Sequence, residues 1–451
     1  MNILQVVSGF PPFNTFGTEI YTYNLSKELV KRHKVFVFYR INDLNLREYA
    51  LNHRRLDGLE IFSINNTFRL CGSFETVYKN DVIAKKFGRI LDQTDPDIVH
   101  IQHLLYLSTN IIEEAKKRNT PILFTLHDYW LLCAQGQLLK NNISACNKKN
   151  SFECIDCVFH QLSIKKNIFN TFYFLKKYTP EYLVQLAKNI YLNYCRFFSS
   201  SKIQAISLIE ERVAYMKAIS SKVDFFISPS QFLKRKFIEF GIPEEKIVFL
   251  PHGFNLDNFK NSQKISFGKL RFGFIGNSLP AKGVHILIKC FNKIKNDNVE
   301  LKIYGQAMSY KAMLGNYLHY IKKMAKNKNI KFMGGFDNRN IAKIFRAIDV
   351  LVVPSIWPEN SPLVIQEAFL AKTPVIASRI GGIPELVNDG LNGILFNPGD
   401  ANDLQGKIQY IIDNPNIIEK FKDNISEVKS IEDNAKEIEE IYKKLIAKNR
   451  L

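Results

Sequence analysis

The sequence contains no apolar run approaching the roughly 18 to 20 residues needed to cross a bilayer, so its composition offers no membrane-spanning helix. It also lacks the opening of a secretory leader. Met1-Asn2 leads straight into strand-like Ile3 to Val7, too short an apolar stretch, and folding in the cytoplasm is expected. The first glycine-rich loop lacks the G-x-G-x-x-G spacing of a dinucleotide fold, and no recognition motif for DNA or RNA occurs, so nucleic acid is not an expected partner. Acidic residues are scarce: 43 Asp and Glu face 62 Lys and Arg, a net charge of +19. Such an excess fits either an anionic membrane surface or plain solvated lysine-rich faces, and both readings stand. What remains is ordinary for a soluble globular chain, and 451 residues allow two sizeable domains, each burying its own core.

The chain is organised around residues 349 to 385, DVLVVPSIWPENSPLVIQEAFLAKTPVIASRIGGIPE. Asp349 to Val353 reads as a strand buried on both faces, as parallel sheets require. Pro354 and Pro358 then force a loop. Ser361-Pro362 places a capping hydroxyl before a proline, which predicts a helix starting near Pro362. Thr373 to Ser378 reads as the next strand, and Gly381-Gly382 as a tight turn with exposed backbone amides. Glu359 in the loop and Glu367 in the second turn of the helix can face one cleft at the carboxyl edge of the sheet, where open α/β sheets bind ligands. Carboxylates there, with Lys282 upstream, suit a polyol bearing phosphates: acids accept hydroxyls, while amides and lysine hold phosphate.

The E-x7-E pair, with PLV before the second glutamate and EAF, PVIAS and GGIPE after it, resembles the signature of the large retaining glycosyltransferase family of GT-B fold. That family includes bacterial polysaccharide, lipopolysaccharide and phosphatidylinositol sugar transferases. The resemblance extends to the glycine loop at 9 to 19, LHD at 126 to 128, FISPSQFL at 226 to 233, VFLPHGFNLDNF at 248 to 259 and FIGNSLPAKGVHILI at 274 to 288. It implies two Rossmann-like, doubly wound α/β domains facing a cleft. It further implies transfer of a hexosyl-type sugar from a nucleotide-diphosphate donor to a glycan or glycolipid acceptor with retention, in cell-envelope polysaccharide synthesis and with no cofactor required.

The resemblance also implies the site. Glu367 would hold the nucleotide ribose and Glu359 would contact the donor sugar. His127 would lie near that sugar, with Gly17 close to the donor phosphates, while Ser361, Pro362 and Leu363 flank the donor. In GNSLPAKG, Gly276 lets the backbone approach, and Lys282 with the amides near Gly283 and Gly381-Gly382 would hold the diphosphate in place of a metal. The family usually places a basic residue where Asn277 stands, so Asn277 is a departure.

Taken in order, strand-like runs recur at Ile3 to Val7, Lys34 to Phe38, Ile61 to Ile64, Asp97 to Ile101 and Ile122 to Thr125, with helical stretches between several of them. Cys133, Cys146, Cys154 and Cys157 cluster in a loop-like segment at 131–158. Two readings stand for them: a structural zinc held by four thiolates, or partly buried thiols without metal. Residues 159–222 form an insertion of lysines and aromatics at amphipathic spacing, either a helical hairpin on the first domain or a face against lipid. Val223 to Ile227, a helix capped by Ser230, and Lys246 to Leu250 close the first domain at about residue 260. A second βα series runs through 261–430. A last helix, Ile431 to Ala447, is expected to return to the first domain, making 431–451 part of it. Two rival functions stand beside transfer: a nucleotide-sugar epimerase on the same fold, and a non-catalytic sugar- or membrane-binding protein.

The lipid reading of the insertion has a direct consequence. Clustered lysines near anionic headgroups contribute roughly 1 kcal/mol each. In vesicle flotation the protein should bind anionic but not neutral liposomes, more weakly as salt rises. Replacing Lys165, Lys166, Lys176 and Lys177 with glutamine should reduce that binding. Indifference of the parent to anionic liposomes at low salt would leave the lysines as a solvated face.

Overall fold

The computed structural model describes residues 1–14, 16–140, 144–146, 151–155, 157–158, 183, 186, 190, 202–260, 268–305 and 317–450. Lys165, Lys166, Lys176, Lys177 and most of the predicted insertion lie outside the described residues. Of that insertion, the helix Lys202–Ser221 is described, and Ile209, Met216 and Ile219 on it are buried in the first core.

The apolar runs become strands of two separate sheets. In the first half these are β1 (Asn2–Val7), β2 (Lys34–Ile41), β3 (Leu51–Leu56), β4 (Leu59–Asn65), β5 (Ile98–Ile101) and β6 (Ile122–Thr125). A small hairpin follows, β7 (Leu139–Lys140) with β8 (Ser144–Ala145), and then β9 (Phe225–Ser228) and β10 (Ile247–Phe249). The eight-stranded sheet runs in the order β10-β9-β6-β5-β1-β2-β4-β3. All neighbours are parallel except β3, which pairs antiparallel with β4. Sequence patterning missed β3, because its residues LNHRRL lie on an exposed edge and carry no apolar run. The signal that was there is Asp57-Gly58, both at positive φ, which is the two-residue turn that joins antiparallel strands.

The second half forms a six-stranded sheet, all parallel, in the order β13-β12-β11-β14-β15-β16. Its strands are β11 (Leu270–Ile275), β12 (Val299–Tyr304), β13 (Ile330–Gly334), β14 (Val350–Val353), β15 (Val375–Ser378) and β16 (Gly393–Phe396). Each sheet has apolar clusters on both faces, as helices on either side of a doubly wound sheet demand. No helix among the described residues is long and apolar enough to cross a membrane.

The last helix, Ile431–Arg450, leaves the second half and packs on the first. Its Ile431, Ala435, Ile438 and Tyr442 are buried with Ile3, Leu25 and Val37. The crossing is tied at the hinge: the Phe254 amide donates to the Lys429 carbonyl (2.9 Å), and the Ile431 amide to the Phe254 carbonyl (2.8 Å). Gly253 makes this approach possible, since a Cβ there would lie 2.4 Å from the Ser430 oxygen and 2.5 Å from Asn434 Cβ. Gly253→Ala should therefore cost about 1–3 kcal/mol through overpacking, read as a lowered thermal midpoint. An unchanged midpoint would mean that the hinge relaxes without cost.

Candidate active site in the cleft between the domains

The loop after β14 is the centre of the site. The Ser355 hydroxyl donates to Glu359 Oε1 (2.7 Å), and Lys282 Nζ reaches the same oxygen at 2.6 Å. Glu359 is buried and Lys282 partly so, which makes this a shielded ion pair at the edge of the sheet. The Lys282 ammonium also lies 5.2 Å from the Trp357 ring centroid. Lys282 ends a short 3-10 turn, Pro280–Lys282, that leads through Gly283 into the helix Val284–Phe291. Gly283 is at φ +71°, and a Cβ there would lie 1.8 Å from the Pro354 carbonyl oxygen, so only glycine lets the two loops meet.

Several amides expected to face phosphate are already engaged. The Gly382 amide donates to the Glu359 carbonyl (2.7 Å), that of Gly283 to Pro280 (2.9 Å), and that of His285 to the Tyr317 hydroxyl (3.3 Å). The expectation of exposed amides in the Gly381-Gly382 turn is corrected for Gly382: its N–H satisfies the loop that carries Glu359. Ser361 does not cap the following helix, Leu363–Leu370. Pro362 occupies the cap position without a side-chain bond. Gly276 donates its amide to the Tyr304 carbonyl (3.0 Å), and Asn277 follows it in the loop after β11.

The loop is also anchored to the first domain. The Tyr129 hydroxyl donates to the Pro358 carbonyl (2.8 Å), the Ser230 hydroxyl to Asn360 Oδ1 (2.7 Å), and Asn360 Nδ2 to the Leu126 carbonyl (3.4 Å). Asn360, Tyr129 and Ser230 were not read from sequence as site residues. The PENSPLV segment held the signal for Asn360, but only the fold shows its partners. These contacts bring the Glu359 loop beside the turn after β6 that carries His127.

His127 stacks on His252 (ring centroids 5.0 Å apart, planes 17° apart) and lies 5.5 Å from the Tyr21 ring. Its Nε2 is 2.8 Å from Gln102 Oε1. Burial, reinforced by the neighbouring histidines, holds the His127 pKa well below the ordinary range, so the ring is neutral. His252 is likewise depressed by burial, to about 3. Beyond His127, His103 Nε2 and Asp128 Oδ2 lie 3.0 Å apart.

Glu367 occupies a different part of the cleft. It is half-buried and lines a pocket between the halves with Tyr21, Asn24, Gly253, Asn338 and Leu363. Its carboxyl has no hydrogen-bond or ion-pair partner among the described residues, and desolvation alone pushes its pKa up to about 7. Gly17 opens the first long helix, Gly17–Leu29, and faces Leu363: a Cβ on it would lie 3.3 Å from Leu363 Cδ1. The structure thus brings Lys282, Glu359 and His127 around one loop, and Glu367, Leu363 and Gly17 into the adjoining pocket.

Among the described residues no three His, Cys, Asp or Glu side chains are placed to hold a metal ion. Cys133, Cys154 and Cys157 pack partly buried against the apolar core of the first domain, and Cys157 Sγ approaches the Leu139 carbonyl (3.8 Å). Cys146 leaves the small β7-β8 hairpin, with its amide on the Leu138 carbonyl (2.8 Å).

Two parallel α/β sheets facing across such a cleft, with a helix returning from the second to the first, define a protein of GT-B fold. The fold is shared with HepE from Anabaena, solved in complex with UDP and glucose, at TM-score 0.65 and 18% identity over 98% of this chain and 99% of that one. Residues 257–428 match the family described as glycosyl transferases group 1, and residues 16–149 match glycosyltransferase family 4. Together these matches indicate a glycosyltransferase family of GT-B type. Among curated relatives, an uncharacterized glycosyltransferase of Methanocaldococcus jannaschii is 31% identical over 47% of this chain and 56% of its own length. The lipopolysaccharide 1,2-N-acetylglucosaminetransferase of Salmonella typhimurium is 30% identical over 37% of this chain and 47% of its own. The chain thus spans about half the length of these curated relatives.

The raised pKa of Glu367 gives a test by pH. Its folded pKa, about 7, lies above the ordinary carboxyl value, so the folded state holds a proton that the unfolded state has released. Stability is then lost as pH rises from the ordinary value through about 7. Glu367→Gln removes that titration. Its thermal midpoint should exceed the parent's at pH 8, with the gap closing toward pH 4.5. A gap independent of pH would show that Glu367 titrates normally.

Proposed function

We propose that the protein transfers a hexosyl-type sugar from a nucleotide-diphosphate donor to a glycan or glycolipid acceptor, with retention at the anomeric carbon, in cell-envelope polysaccharide synthesis. The observation that carries this reading is the Glu367 carboxyl, half-buried in the interdomain pocket and without a partner among the described residues. A desolvated carboxyl of this kind costs free energy unless a ligand supplies donors, and the two hydroxyls of a ribose do so. Eight residues earlier, Glu359 and Lys282 form a pair that a diphosphate can open: the phosphate takes the ammonium and the sugar hydroxyls take the carboxylate.

In this reading Lys282 carries most of the charge stabilisation of the leaving diphosphate, because the Gly283, His285 and Gly382 amides are engaged within the protein. His127, neutral and beside the loop, accepts from or donates to a sugar hydroxyl. Among the described residues no side chain is placed as a covalent nucleophile, which favours same-face displacement, with the departing phosphate oxygen taking the acceptor proton. The UDP and glucose bound by HepE and the lipopolysaccharide transfer named for the Salmonella relative support the donor and acceptor classes. The donor's chemistry and the net charge of +19 support a cytoplasmic site at the inner membrane face.

The test is product analysis. Purified protein incubated with UDP-hexoses and a lipid-linked saccharide should give a product that keeps the donor's anomeric configuration. Glu367→Ala should weaken donor binding by about 1.5–3 kcal/mol, as expected for charge-assisted hydrogen bonds, while Glu359→Ala should lower turnover more than donor affinity. Isomerised donor without transfer would replace this reading with an epimerase. Near-normal kinetics in both variants would remove the site.

A further inference from the structure

A chain of fully buried polar groups runs from the returning helix through the first sheet to His127. Tyr442 on that helix lies with its hydroxyl 2.6 Å from His100 Nδ1, and His100 Nε2 lies 2.8 Å from Thr125 Oγ1. Gln5 Nε2 donates to the Tyr442 oxygen (3.2 Å), and Gln102 Nε2 donates to Gln5 Oε1 (3.0 Å). That last contact is shorter than the approaches of Gln102 Nε2 to the His100 ring nitrogens, at 3.3 and 3.2 Å. Gln102 Oε1 is left facing His127 Nε2. Gln5, His100, Gln102, Thr125 and Tyr442 are all completely buried. Within such a chain each group must donate where its neighbour accepts, because an unmatched pair in the interior costs the desolvation of both members.

The directions follow from one end. Burial depresses His100 to about 3, so its ring is neutral and carries one proton. With Gln5 donating to its oxygen, the Tyr442 hydroxyl gives its own proton to His100 Nδ1, and His100 Nε2–H donates to Thr125. Gln5 then offers its carbonyl oxygen to Gln102, and Gln102 offers its own to His127. We infer that Tyr442, through Gln5 and Gln102, is a positioning residue that holds His127 in the Nε2-protonated tautomer, leaving the Nδ1 lone pair as the acceptor for a ligand hydroxyl. His127 Nδ1 has no hydrogen-bond partner among the described residues, consistent with that use. The inference deepens the transferase reading and rests on it for the role of His127. It means that the helix crossing from the second half completes the chemistry of the first.

The test reads the ring directly, on full-length protein with 15N-labelled histidine, the His127 signals being assigned by their loss in His127→Asn. The parent should show protonated Nε2 and bare Nδ1. Tyr442→Phe keeps the ring packing but removes the hydroxyl that orders the chain, and should give a mixture of tautomers. It should also lower kcat roughly tenfold, the equivalent of one buried hydrogen bond, with the donor KM unchanged. Adding Gln102→Glu to Tyr442→Phe restores an obligatory acceptor beside His127 and should bring back the single tautomer. A parent ring protonated on Nδ1, a Tyr442→Phe ring unchanged from the parent, or a double variant that stays mixed would each overturn the proposal. The ring measurement needs no turnover, so it stands or falls apart from whether any nucleotide sugar proves to be a substrate.

Discussion

Two turns that nest without side chains set the geometry on which the site depends. A Cβ at Gly381 would lie 2.1 Å from the Glu359 carbonyl oxygen, and one at Gly382 would lie 2.0 Å from that of Asn360. Only glycine permits this approach, and Gly381 also takes the positive φ that the turn requires. The contact holds the loop after β14 at one height over the sheet. From there Glu359 reaches Lys282 and Ser355, while Asn360 reaches across to Ser230 and Leu126. The same hydrogen bond that fixes the loop uses up the Gly382 amide, which leaves the Lys282 ammonium as the cation beside Glu359.

A second constraint is the buried polarity of the first domain. β1, β5, the residue after β5, and β6 place Gln5, His100, Gln102 and Thr125 in the buried interior of the first sheet, and these groups need partners away from water. The returning helix supplies Tyr442 to them, and its Asn434 accepts from the Tyr21 hydroxyl (2.8 Å) while donating to the Pro251 carbonyl (3.0 Å). Docking of that helix and satisfaction of the polar core are thus one requirement. It also fixes the surroundings of His127, whose ring rests on His252 and Tyr21 at the hinge.

The alternation of buried strands and helices was legible because period and composition are local. β1, β5, β6 and β14 lie where short apolar runs predicted them, and Ser230 caps its helix by accepting from the Leu233 amide (3.2 Å). Ser361 was equally plausible as a cap, yet Pro362 took the position, since the loop above is pinned by Gly381 and Gly382 rather than by its own caps. β3 escaped because an edge strand needs no apolar face. The cysteine spacing said nothing of how Cys133, Cys154 and Cys157 are placed, partly buried against the first core.

By itself the sequence determined the two α/β series, the order of their motifs, and which residue types stand at the carboxyl ends of the strands, because propensity, hydrophobic period and turn chemistry act over a few residues. It also held Glu359, Glu367, Lys282 and His127 as candidates. Only the tertiary structure decided which of them touch: Lys282 bound to Glu359, Glu367 lining the interdomain pocket, and His127 tied through Gln102 and Gln5 to Tyr442. Gln5 and Tyr442 are 437 positions apart, and no local rule reaches that far. Their pairing follows from the need to satisfy buried polar groups once two sheets and one crossing helix have closed around them.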